Sequence, residues 1–145
     1  MAASRLILAE PPIAYRVQPP LVIDASIVGA VLFDEPECDQ ALARMRSRQL
    51  FAPQLLDYEI TNVAVTKLRK GLDAASAEAA LRLYDEVDIQ LLEADVPEML
   101  RLAARYQLSA YDAAYLWLAA ALKAPLATFD RQLGKAATQH LAALG

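Results

Sequence analysis

Leu21-Val22-Ile23-Asp24-Ala25-Ser26 is the stretch from which the rest of this chain is read. Three apolar residues, two of them β-branched, stop at an aspartate; the apolar run Ile27 to Phe33 follows, and Asp34-Glu35-Pro36 breaks it. That order predicts strand, helix and turn. A second helix is expected from Pro36 to about Arg48, then a strand at Leu50-Phe51-Ala52. Pro53 suits the first position of a helix reaching Lys70, with Gly71 as its stop, and Asp73 opens the next helix. Asp88 to Leu92 reads as a third strand, and Asp95-Val96-Pro97-Glu98 begins a helix to about Gln107. Ser109 caps another, which runs to Lys123; Pro125 to Phe129 is the last strand, and Asp130 precedes a final helical segment. Short strands alternating with helices imply parallel strands joined by crossovers. The expected class is α/β, a three-layer α/β/α sandwich on a small, mainly parallel central sheet.

The 145 residues suffice for one core, and 57% hydrophobic against 22% charged residues argues against disorder. Four of the eight prolines fall in residues 1–20, which read as an arm before a domain of residues 21–145. The longest apolar run, Ala113 to Leu122, is about half a bilayer span, and no secretory signature follows the first residues, so a cytoplasmic location is expected.

The scarce residues exclude whole chemistries. With one cysteine, Cys38, and one histidine, His140, neither a disulfide framework nor a Cys/His zinc site can be assembled within the chain. His140 stands five residues from the C-terminus and reads as a frayed surface residue. Any chemistry must fall to carboxylates, the ligands hard cations prefer. A net charge of −4 also excludes nucleic-acid binding by overall field, leaving local basic strips as the alternative.

Asp24 and Asp130 each follow a strand, the edge where open parallel sheets bind ligands, although an aspartate there also serves as a helix cap. Asp112 completes an S-x-x-D capping box with Ser109, yet it shares a helix side with Leu108, Tyr115 and Ala119, where an ionised carboxylate needs compensation. Glu59 lies beside the stripe of Leu56, Ile60 and Val63, inside the helix expected from Pro53, and leans toward the sheet; a partly exposed, paired acid is its other reading. Asp57 and Asp95 read as surface or capping acids. Four carboxylates in one site repel unless divalent ions neutralise them, and Mg²⁺ or Mn²⁺ held in this way can serve phosphodiester cleavage.

These residues resemble a known family. Leu21 to Ser26, Glu59 within Leu55 to Val63, Tyr111-Asp112-Ala113-Ala114-Tyr115, and Thr128-Phe129-Asp130 are similar, in order and spacing, to the acidic motifs of PIN-domain ribonucleases, over about residues 21 to 136. The single-domain form is similar to VapC toxins of toxin–antitoxin modules. The resemblance implies a Mg²⁺- or Mn²⁺-dependent endoribonuclease that inhibits translation by cutting RNA, with Asp24, Glu59, Asp112 and Asp130 as metal-binding, catalytic acids. Ser26 and Thr128 match the small hydroxyl positions flanking them. It also implies a homodimer and a small VapB-like antitoxin covering the site. Twenty residues precede Leu21, whereas the family usually begins almost at its first strand; the arm would pack on the dimer, contact the antitoxin, or be an unstructured extension or a start-site artefact.

Two basic clusters offer phosphate steering, Lys67/Arg69/Lys70 and Arg44/Arg46/Arg48, though basic residues also complement helix C-termini. Tyr58, Tyr111 and Tyr115 are candidates for base stacking or for the core. The competing readings are a catalytically silent PIN-like interaction module and, less well matched, an aspartate-based phosphatase, for which Asp24-Ala25-Ser26 lacks the second aspartate.

Overall fold

The structure, a computed structural model, describes residues 18–144 together with residues 6, 7 and 9. Most of the expected proline-rich arm thus lies outside the described residues. The elements run β1 (Pro20–Ile23), α1 (Ala25–Leu32), α2 (Cys38–Met45), β2 (Gln49–Pro53), α3 (Leu56–Arg69), α4 (Ala74–Glu86), β3 (Ile89–Leu92), α5 (Val96–Tyr106), α6 (Ala110–Leu122), β4 (Leu126–Ala127) and α7 (Arg131–Ala142). The sheet order is β3-β2-β1-β4, and all three pairings are parallel. The α/β expectation holds.

The connections explain the layers. From β1 the chain steps outward to β2 and β3, then returns past β1 to place β4 on its other side. Right-handed crossovers in opposite directions put their helices on opposite faces. Accordingly α1 packs on α2, α3 and α4, while α6 packs on α5, α7 and the strands β1, β2 and β4. The reversal creates a switch point between β1 and β4, beyond whose carboxyl ends a crevice must open.

The core is made by the strands and the helix faces turned to them. Val22, Ile23, Leu56, Ile60, Leu116 and Leu133 are among its fully buried side chains, and α6 buries Ala113 through Leu116 with Leu118 and Ala119. Local stop signals act as expected: Gly71, at φ +108°, takes the left-handed conformation that closes α3, and Asp73, Asp95 and Ser109 each cap a helix by accepting from an N–H three residues on.

Three local expectations are corrected. Pro53 is the last residue of β2, opposite Leu92, and Gln54 N–H continues the ladder by donating to Leu92 O at 3.0 Å. A proline at a strand's end forfeits no ladder donor that the chain needs, so its helix-start preference yields to parallel pairing. The strand expected from Pro125 to Phe129 contracts to Leu126–Ala127, because the following residues turn into the site. His140 is not frayed: it lies in α7, half-buried, with Nδ1 2.9 Å from the Tyr106 hydroxyl and its ring edge-on to Tyr106. Among the described residues no helix is long and apolar enough to cross a membrane.

Candidate metal and nuclease site

Asp24 is the hub of the crevice. Ile23 ends the buried strand, and the next residue caps α1, so its carboxylate is held at the strand's carboxyl end and is only 6% exposed. Oδ1 accepts from Ser26 N–H (3.1 Å), Ser26 Oγ–H (2.6 Å) and Ile27 N–H (3.2 Å), while Oδ2 accepts from the Thr128 hydroxyl. Burial pushes its pKa upward, against the pull of these donors. Ser26 and Thr128 also knit β1 to β4. Phe129 N–H donates to Ser26 Oγ at 2.9 Å, and Asp130 N–H donates to Thr128 Oγ1 at 3.0 Å. Asp130 then caps α7 by accepting from Leu133 N–H at 2.8 Å, and it is exposed.

The other two acids come from helices on opposite faces. Glu59 stands in the first turn of α3, since that helix starts at Leu56 rather than near Pro53. It is half-buried, and the Tyr115 hydroxyl donates to its Oε1 at 2.6 Å. Burial raises the Glu59 pKa, the tyrosine opposes this, and the charges of Asp112 and Asp24 raise it further. Asp112, in the first turn of α6, is half-buried; burial and then the charges of Asp130 and Asp24 raise its pKa. Glu59 thus lies in the field of Asp112 and Asp24, and Asp112 in that of Asp130 and Asp24, so α1, α3, α6 and α7 bring their acids into one electrostatic neighbourhood. The tyrosines separate clearly: Tyr115 is 1% exposed and belongs to the core, whereas Tyr58 and Tyr111 are exposed.

Among the described residues no cationic side chain is paired with this negative cluster. The ion pairs among the described residues are Lys67–Glu35, Arg82–Glu78 and Arg101–Glu98, none of which involves the four acids. An all-oxygen donor set without a counter-charge suits a hard divalent cation. Among the described residues, no three His, Cys, Asp or Glu side chains are gathered closely enough to enclose an ion as they stand.

The geometry can be set against known proteins. Residues 21–139 match the PIN domain family. The chain belongs to that family. It is 31% identical over 121 residues to Ribonuclease VapC3 of Pyrobaculum aerophilum, covering 79% of this chain and 92% of that protein. The crystal structure of PAE2754 from Pyrobaculum aerophilum shares the fold at a TM-score of 0.66 and 24% identity, covering 87% of this chain and 95% of the other. Mycobacterium tuberculosis VapC20, described as a sarcin–ricin-loop-cleaving toxin, shares it at a TM-score of 0.60 and 12% identity, over 80% of this chain and 94% of that one.

Residue reasoning from the sequence brings forward all four acids but misses two connections. The Tyr115–Glu59 hydrogen bond links residues 56 apart, and Tyr115 reads equally well as plain core. The bond from Phe129 N–H to Ser26 spans 103 residues and involves a backbone group that no motif records.

Proposed function

We propose that this PIN-domain protein is a divalent-metal-dependent endoribonuclease, the toxin of a VapBC-type module that inhibits translation in the cytoplasm by cleaving RNA. The observation that carries the reading is that the charges of Asp24, Asp112 and Asp130 act on Glu59 or Asp112 near the β1–β4 switch point, while among the described residues no cationic side chain is paired to any of the four acids. The likeness to a ribonuclease over most of both chains supports the substrate class.

Asp24, Glu59, Asp112 and Asp130 would hold Mg²⁺ or Mn²⁺. When bound, such an ion activates water and neutralises charge on the phosphate being attacked. The protein's own part is positional. Ser26 and Thr128 fix the Asp24 carboxylate, Tyr115 fixes Glu59, and Asp112 and Asp130 present further oxygens from helix starts whose dipoles favour negative charge. No histidine is available near the acids to shuttle protons, so proton traffic falls to these carboxylates and solvent. A homodimer and a VapB-like antitoxin occluding the acids complete the proposal.

Purified protein incubated with total RNA in Mg²⁺ or Mn²⁺ should cut it, chelator should stop the cutting, and Asp24→Asn and Asp112→Asn should each abolish it. Cleavage that persists in chelator or in both variants would sink the metal-quartet reading. Absence of cleavage on any RNA tested would leave the protein as an interaction module.

A further inference from the structure

Beside the acids lies a groove of about 550 Å³ whose chemistry is opposite to theirs. It exists because β4 is an edge strand covered by α6 and α7 on one face, while α2 packs on α1 and leaves the other face of β4 open. α2 and the turn after it supply Gln40, Arg44 and Arg48 to one wall; Thr128 and Phe129 line the groove as well. Both of those residues touch the acidic site, since Thr128 donates to Asp24 and Phe129 N–H donates to Ser26. Thr128 and Phe129 therefore stand at the border between groove and site.

Charge selects the occupant. In a chain of net charge −4, the charged residues of this lining are Arg44 and Arg48, and no acid lines it. Neither arginine enters an ion pair among the described residues, whereas Lys67 of the other basic cluster is held by Glu35 at 3.0 Å and lies over the Phe33 ring. A helix-terminal arginine can serve only the helix dipole, but two unpaired guanidinium groups facing one cavity offer forked donors suited to phosphates. The hollow on the other side of Phe129 is bordered by Glu35 and Glu37. Glu35 is already paired with Lys67, which leaves Glu37 to oppose a polyanion there, while the arginine side carries two cationic groups and no acid. Phe129, partly exposed between the two, presents an aromatic surface where the paths divide.

We propose that this groove carries the single-stranded RNA that flanks the scissile phosphate, with Arg44 and Arg48 on backbone phosphates and Phe129 stacked against the neighbouring base. The assignment rests on the ribonuclease reading for its substrate, but its test does not depend on cleavage. Stacking on Phe129 is tolerant of base identity, so the groove supplies affinity and direction more than sequence choice.

The probe is a fluorescein-labelled single-stranded RNA of about 12 nucleotides, a length within the usual span of single-strand grooves. Binding to the full chain is read by anisotropy in chelator, from about 50 to 200 mM salt, where electrostatic contacts declare themselves. R44Q/R48Q should bind about 10-fold more weakly and lose about 1.4 from the slope of log affinity against log salt, two contacts at about 0.7 each. R44K/R48K should retain most of that slope, which separates lost charge from disturbed structure. Phe129→Leu should weaken binding several-fold without changing the slope. Equal affinity and slope in wild type and R44Q/R48Q, wild-type binding too weak to measure, or equal binding of the corresponding duplex would each overturn the proposal. In Mg²⁺, R44Q/R48Q should raise KM with kcat retained. A wild type that binds as described yet cuts no RNA defeats the nuclease reading and leaves the groove assignment standing.

Discussion

At the β1–β4 edge, Asp24 accepts four hydrogen bonds and is nearly sealed from solvent, while across the same crevice Glu59 accepts one and Asp112 accepts none among the described residues. All three have raised pKa values, with burial the largest cause in each. They differ in what opposes it. For Asp24 the fold supplies donors from its own turn and from β4; for Asp112 the next contributions, from Asp130 and Asp24, are repulsive. One acid is anchored by the fold, and the other is left with repulsion that no donor among the described residues offsets.

The largest expected effect follows from that contrast. Asp24→Ala removes a helix cap and strands the hydroxyls of Ser26 and Thr128, which should cost about 2 kcal/mol of stability. Asp112→Asn should move the other way. It keeps the shape, leaves the Ser109 cap on its backbone N–H intact, and removes a repelled charge, so it should stabilise the metal-free protein by about 0.5–1 kcal/mol. Both should abolish cleavage. Urea unfolding in chelator measures the pair; destabilisation of similar size by both would erase the distinction between an anchored and a repelled acid.

Tyr115→Phe sharpens the intermediate case. It preserves the ring that fills the core and deletes the one donor to Glu59. A loss of about 1–2 kcal/mol in stability is expected. Because partners of ligating groups typically contribute about 10–100-fold, activity should fall by about 10-fold and recover in part at higher Mg²⁺ concentration. A variant as active as wild type at limiting Mg²⁺ would show that Glu59 needs no positioning.

The parts of the fold legible in the sequence are those that short-range physics determines. An apolar run that stops at Asp24, a glycine after a helix at Gly71, and caps at Asp95 and Ser109 are each readable within a few residues. Sequence spacing likewise brings forward Asp24, Glu59, Asp112 and Asp130. The illegible parts are pairings between distant segments. Pro53 takes its conformation from β3, which comes more than thirty residues later, and the last strand is short because Thr128 and Phe129 are claimed by Asp24 and Ser26. The arginine groove depends on α2 lying short of β4, a matter of layer geometry that no residue pattern encodes.

The smallest effect is expected at His140, which provides a titrating pair outside the acidic crevice. Burial, with a smaller contribution from the Arg105 charge, lowers its pKa below the ordinary 6.5, so folding favours the neutral imidazole. The sign follows from linkage: between the lowered folded value and the ordinary unfolded one, the unfolded chain binds more protons, and stability falls as pH drops through about 6.5. The contribution is fully present above that pH. It should be small, because the ring is only half-buried, and it should not change with Mg²⁺, because its partner is Tyr106 rather than any of the four acids. The difference in urea midpoint between wild type and His140→Gln, followed from pH 7.5 to 5.5 with and without Mg²⁺, isolates this term from the carboxylates. A difference that tracks Mg²⁺ would mean that the α5–α7 contact and the acidic crevice are coupled through α7, whose first turn Asp130 caps, and the two regions could then no longer be treated as independent.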